Sequence, residues 1–241
     1  MGINLGSLTP EPTTDIKAQV APAAPVAEPT PAPAPAPAPV IELPGGVEKV
    51  DRGGGILSIN LQKGISLDLT KTLPSLNNIH VGLGWDPAQG VSMDLDVVAV
   101  ALHNGKVLSG NDIAFYNQRT IIPGVTISED NRTGQGEGDD ESIEMVLSSI
   151  PADVTEVAIF VTIHEGAQKN QNFGMVHGAY VRIVDNNTKK EEAIHVLNEG
   201  DAALYETFHF ATFKRNGAGW SFDTVDKGMH GDVMAIANSF N

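Results

Sequence analysis

From residue 56 onward, apolar and polar residues alternate mostly with a period of two, and this pattern limits the possible folds more than any other feature of the chain. Side chains on a strand point to opposite faces in turn, so such alternation gives strands with one buried and one wetter face. Ile56, Ser58 and Asn60 alternate with Leu57, Ile59 and Leu61, and Ile79, Val81, Leu83 and Trp85 with His80, Gly82 and Gly84. Further strands are expected at 93–102, 143–147, 157–163, 178–184, 193–197 and 205–213, with a short one at Trp220–Phe222. The dipeptides Asn77-Asn78, Asn104-Gly105, Asn186-Asn187 and Asn216-Gly217 read as turns. Met229, Val233, Ile236 and Phe240 fall near one helical face, which predicts a C-terminal helix. The expected fold is all-β: a two-sheet sandwich with short helices and that terminal helix.

The alternation stops upstream. Eleven of the fifteen prolines precede residue 45, and 21–40 is a proline–alanine tract. Proline fixes φ and removes a donor, so this tract predicts an extended polyproline-type spacer. At roughly 3.1 Å per residue it reaches on the order of 60 Å. Residues 1–20 are expected to be a disordered tail, 21–55 a Pro/Ala-rich and Gly-rich linker, and 56–241 the folded domain. Ile3, Leu5 and Leu8 leave a docking peptide as the other reading of the opening segment.

The formal net charge is −15. Such a surface repels nucleic acid, and no basic patch with interleaved aromatics offsets it. There is no cysteine, so disulfides and thiolate metal sites are excluded. The opening residues lack the basic start and apolar run of a secretory signal, and no apolar run has membrane-spanning length, so a cytoplasmic location is expected.

The charge is concentrated. Between 129 and 144 there are seven acids against Arg132 alone. The loop from Asp130 to Glu141, DNRTGQGEGDDE, supplies oxygen ligands and little else. Calcium takes six to eight oxygens from carboxylates, amides and backbone carbonyls, and glycines at 134, 136 and 138 let carbonyls turn inward. Crowded carboxylates repel by about 1 kcal/mol per pair at ~4 Å in water and about 4 at an effective dielectric of 20, a penalty a divalent cation removes. Asp130 and Glu141 are the first and twelfth residues of a twelve-residue loop, like EF-hand ends, but Arg132, Gly134 and Gln135 break that pattern and the flanks read as strands. A second acidic feature is Asp94 and Asp96, on the same strand face as Val98, Val100 and Leu102. Two same-face carboxylates beside a core repel unless paired or metal-bound, which places them at the sandwich rim facing the loop. Ordinary solvated acids are the competing reading for both features.

With these residues in hand, the chain resembles the TerD family of tellurite-resistance and stress-response proteins. The likeness lies in GLGWD at 82–86, the D-L-D strand at 94–96, FYN at 115–117 and the DNRTGQGEGDDE loop. It continues through Asn172-Phe173-Gly174, Tyr180–Ile183 and 217–220 to the terminal helix, over about 56–241. The resemblance implies a β-sandwich holding one or two Ca2+ ions at one end. It carries over Asp94 and Asp96 as strand ligands and Asp130, Asn131, Asp139, Asp140 and Glu141 as loop ligands, with carbonyls from Thr133, Gly136 and Gly138. Ser92 stands where many members have Asp, so one ligand of a second ion is weaker or missing.

Other chemistry finds little support. There is no phosphate-binding G-x-x-x-x-G-K loop and no G-x-S-x-G elbow. The seven histidines are scattered, and His164-Glu165 has no nucleophile beside it. The expected function is therefore non-catalytic: a calcium-organised interaction domain whose partners are other proteins of a stress or tellurite-resistance system. A calcium-dependent membrane-docking module is the alternative. A metal-assisted hydrolase ranks third, for want of a general base.

Overall fold

The structure is a computed structural model; it describes residues 40–43, 47–51, 57–88, 91–128, 138–197 and 199–241. The strands, numbered β1 to β15 in chain order, form two sheets. The larger runs β1 (Val40–Leu43), β2 (Val47–Asp51), β3 (Leu57–Leu61), β13 (Lys190–Val196), β12 (Val176–Asp185), β5 (Asn78–Pro87), β10 (Glu141–Val146), β9 (Val125–Ile127) and β8 (Thr120–Ile122). The smaller runs β4 (Ser66–Asp68), β15 (Gly219–Met229), β14 (Thr207–Asn216), β11 (Glu156–Ile163), β6 (Leu95–Leu102) and β7 (Ile113–Ala114). All pairings are antiparallel except β3 with β13.

The alternation explains the layering. Ile79, Val81, Leu83 and Trp85 of β5 bury toward the smaller sheet, as do Val181 and Ile183 of β12 and Ile143 and Met145 of β10. From the other side come Leu95, Val97, Ala99 and Ala101 of β6, Val157, Ile159 and Val161 of β11, and Phe208, Phe210 and Phe213 of β14. The opposite face of β6 is also apolar. Val98, Val100 and Leu102 join Ala158, Phe160 and Ile113 in a second cluster sealed by Ile236 of the C-terminal helix, Val233–Asn238. Asp232 caps that helix, its carboxylate accepting from the Met234 amide at 2.9 Å.

The expected two-sheet all-β fold with short helices and a terminal helix is what is seen. Boundaries differ in instructive ways. Three-residue strands such as β4, β8 and β9 offer too few alternations to register, and they pair at sheet margins. β15 is far longer than the expected 220–222 because polar Thr224 and Asp226 are buried within it. β1 and β2 fall inside the expected linker of 21–55. They extend the larger sheet through β3, with Lys49 opposite Ile59. The expected tail of residues 1–20 lies outside the described residues.

Candidate functional site

β5, β6 and β10 converge at one end of the sandwich. β10 lies beside β5 in the larger sheet, Glu141 opposite Leu83. The Asp140 amide donates to the Leu83 carbonyl at 2.8 Å, so the end of the acidic loop is welded to the GLGWD strand. Asp140 Oδ2 accepts from the Trp85 amide at 2.9 Å. Glu141 faces inward between the sheets, 4 % exposed, and its Oε2 accepts from the Val97 amide of β6 at 2.6 Å. Val97 follows Asp96 directly, and β7 pairs with β6 only at Ala99 and Val100.

Asp96 is 4 % exposed and Asp94 is half-buried, so this is not a frayed strand end. Asp96 Oδ2 lies 3.4 Å from His164 Nδ1, and the Asp94 carbonyl accepts from the His164 amide at 2.7 Å. The structure thus places the backbones of Asp94, Asp96, Asp140 and Glu141 at one rim. Asp130, Asn131, Thr133 and Gly136 lie outside the described residues.

The described side chains of the rim are mainly carboxylates. Burial pushes the Asp140 carboxyl above its usual range; the Trp85 amide opposes this, while the neighbouring Asp86 and Asp139 add to it. The donors that remain are hard oxygens, the set that suits Ca2+. Among the described residues, no three His, Asp or Glu side chains by themselves form a metal-holding group. The described rim carboxylates are of the donor type that Ca2+ takes, and by themselves they do not complete a ligand set.

Asp139 has a different environment. It turns to the outer face of the larger sheet, where Arg182 grips it with Nε to Oδ1 at 2.8 Å and Nη2 to Oδ2 at 2.9 Å. His80 Nε2 lies 2.9 Å from Oδ2, and the Tyr180 hydroxyl lies 2.9 Å from both Oδ1 and the Gly138 carbonyl. Burial works to raise the Asp139 pKa, but the bonds from His80 and Arg182 outweigh it and hold the carboxyl below its usual value. His80 also meets Glu144 at 2.6 Å through Nδ1. Its bond to Asp139 raises its pKa, burial opposes, and Glu144 adds to the rise. Arg182 reaches Glu191 at 3.1 Å as well.

This network was not anticipated in the sequence, although Gly82 and Gly84 carried a signal. A Cβ on Gly82 would overlap the Asp139 carboxylate, and one on Gly84 would overlap the Tyr180 ring. The glycines of GLGWD clear a bed on β5 for the side chains that clamp the loop end.

On this two-sheet sandwich, the TerD domain model matches residues 57–240. The chain belongs to the TerD family of tellurite-resistance and stress-response proteins. It is 38% identical over 188 residues to tellurium resistance protein TerD of Serratia marcescens, covering 76% of this chain and 97% of that protein. It is also 38% identical over 189 residues to general stress protein 16U of Bacillus subtilis (strain 168), with the same coverage of 76% and 97%. A crystal structure of a homologue of telluride resistance protein (TerD) from Streptomyces coelicolor A3(2) superposes with a TM-score of 0.54 at 23% identity, covering 68% of this chain and 96% of that one. Among the described residues, no helix is long and apolar enough to cross a membrane.

Proposed function

We propose that this chain is a non-catalytic calcium-binding module whose metal orders the acidic loop and creates a surface for partner proteins of a stress or tellurite-resistance system. The observation that supports it best is Glu141. A buried carboxylate from one sheet reaches the strand of the other beside Asp96, while burial raises the Asp140 pKa. Such a rim is stabilised by a hard cation, which removes the repulsion that burial amplifies. The side chains of Asp94, Asp96, Asp130, Asn131, Asp140 and Glu141, with carbonyls at Thr133, Gly136 and Gly138, would hold it. In this reading Asp139 serves as the clamp: Arg182, Tyr180 and His80 fix its carboxylate, so the end of the loop is prepositioned and less order is left for the metal to impose.

Calorimetric titration of metal-free protein with CaCl2, beside thermal unfolding, tests the reading. Saturable binding is expected, with ~2.7 kcal/mol of stabilisation at a hundredfold excess over the dissociation constant. Asp96→Ala and Asp140→Ala should each weaken it at least tenfold. An unchanged melting temperature in millimolar calcium would defeat it.

A further inference from the structure

Beside the rim, on the outer face of the smaller sheet, lies a cavity of about 390 Å3. It sits where the turn after β7, the segment following β11 and the start of the C-terminal helix meet. Its volume falls in the roughly 300–1,000 Å3 range of small-molecule sites. Phe115, Tyr116, Val233 and Met234 supply apolar wall, and two of these are unusually open to solvent: Tyr116 is 37% and Met234 66% exposed. The polar lining consists of Thr162, Gln168, His164 and four carboxylates. Glu165, Glu206 and Asp232 join Asp96, and no Lys or Arg is among the lining residues. Neighbours engage these acids in part. Glu206 meets His230 at 2.9 Å, Lys169 approaches Glu165 at 3.4 Å from outside the cavity, and one Asp232 oxygen caps the helix.

We infer that this cavity is a binding site for a linear polyamine, an alkyl chain carrying two or more ammonium groups. The apolar walls suit methylene segments, Tyr116 offers an aromatic face to a cation, and Glu165 and Asp232 give ammonium heads separate partners. The net negative charge of the chain draws such a ligand in and repels anions of similar size. Glu165, Glu206 and Asp232 stand outside the proposed metal ligands, so this site does not rest on calcium.

Isothermal titration of the full chain with spermidine at constant ionic strength tests it, in one arm with saturating calcium and in another with chelator. Saturable one-site binding is expected in both arms. The double variant Glu165→Gln/Asp232→Asn keeps the helix cap but should bind at least about tenfold more weakly, and Tyr116→Ala should also bind more weakly. Glu156→Gln, at the far end of β11, should bind as wild type, and unfolding curves verify that every variant is folded. Absence of saturable heat overturns the inference, as does equal affinity in the folded double variant. Binding confined to the chelator arm would assign the heat to the metal carboxylates and overturn it too. A lysine-bearing peptide that saturates where spermidine does not would equally reject a free polyamine.

Discussion

At the scale of single residues, the two ends of the acidic loop's DDE are put to opposite use. Asp139 points out of the sandwich into a set of donors, and Glu141 points into it toward a backbone amide. The two residues are two positions apart, so a regular strand would put them on one face; β10 begins only at Glu141, and the non-strand backbone before it lets one short motif both fasten the loop and face the rim. Arg182→Leu would remove the bidentate partner of Asp139 and the Arg182 contact of Glu191. Partial exposure tempers the cost, and destabilisation of about 1–3 kcal/mol by urea unfolding is expected. Gly82→Ala should cost a similar ~1–3 kcal/mol through overlap with Asp139. If the glycine acts only through that overlap, Asp139→Ala should relieve it in the double variant, and simple additivity would refute the coupling. Little of this clamp was legible in the sequence. Acidity and glycine content identify a loop suited to calcium, but they cannot say which carboxylates turn inward between the sheets and which turn to the outer face. That depends on where β10 begins and on Arg182, about forty residues downstream, lying opposite Gly82 on the strand beside β5.

At the scale of elements, legibility follows the strength of the alternation. β5, β6, β11 and β12 announce themselves because their buried faces are unbroken rows of Val, Ile, Leu and Ala. β15 does not, since its buried row runs into Asp226. That aspartate meets His195 of β13 at 2.7 Å, and both side chains are buried. His195 Nδ1 faces the Leu61 carbonyl at 2.8 Å, so both ring nitrogens confront acceptors, which favours the imidazolium form. Burial lowers its pKa, yet the bonds to Asp226 and Leu61 outweigh this and raise it. His209 is the reverse: burial against Phe160 pushes it down to about 4. The contribution of His195 is complete below its unfolded pKa of about 6.5 and is lost as pH rises through the folded value. His80 acts in the same direction. That of His209 is complete above about 6.5 and is lost as pH falls toward 4. The melting temperature of metal-free protein should therefore peak near pH 6.5. A profile that climbs steadily from pH 6 to 9 would contradict the assignment of His195, and His195→Gln should flatten the alkaline side. The terminal helix was legible from its apolar spacing, and Ile236 is its anchor. Ile236→Ala should cost about 2–4 kcal/mol by opening the cluster over Val98, Val100 and Phe160. Met234→Ala on the same helix, 66% exposed, should change stability by less than ~0.5 kcal/mol.

For the whole molecule, the question is where the folded unit begins. Composition draws attention to the proline–alanine tract and hides the two strands just downstream of it. Val40–Leu43 and Val47–Asp51 are too short, and too close to that tract, to compete as strands on sequence alone. In the structure they extend the larger sheet, Glu48 opposite Asn60 and Val50 opposite Ser58, and the compact unit spans Ala38–Asn241. β3 has only the short parallel ladder to β13 on its other side, Ala193 to Ile59 through His195 to Leu61. Removing β2 would turn β3 into a sheet edge and open its unpaired amides to water or to a second chain. Two truncations separate the readings. A chain starting at residue 38 should unfold at the same temperature as the full-length protein. A chain starting at residue 57 should melt several degrees lower and should aggregate more readily in light scattering. Equal melting temperatures for the two would show that β1 and β2 add nothing to the domain, and would return its boundary to Ile56.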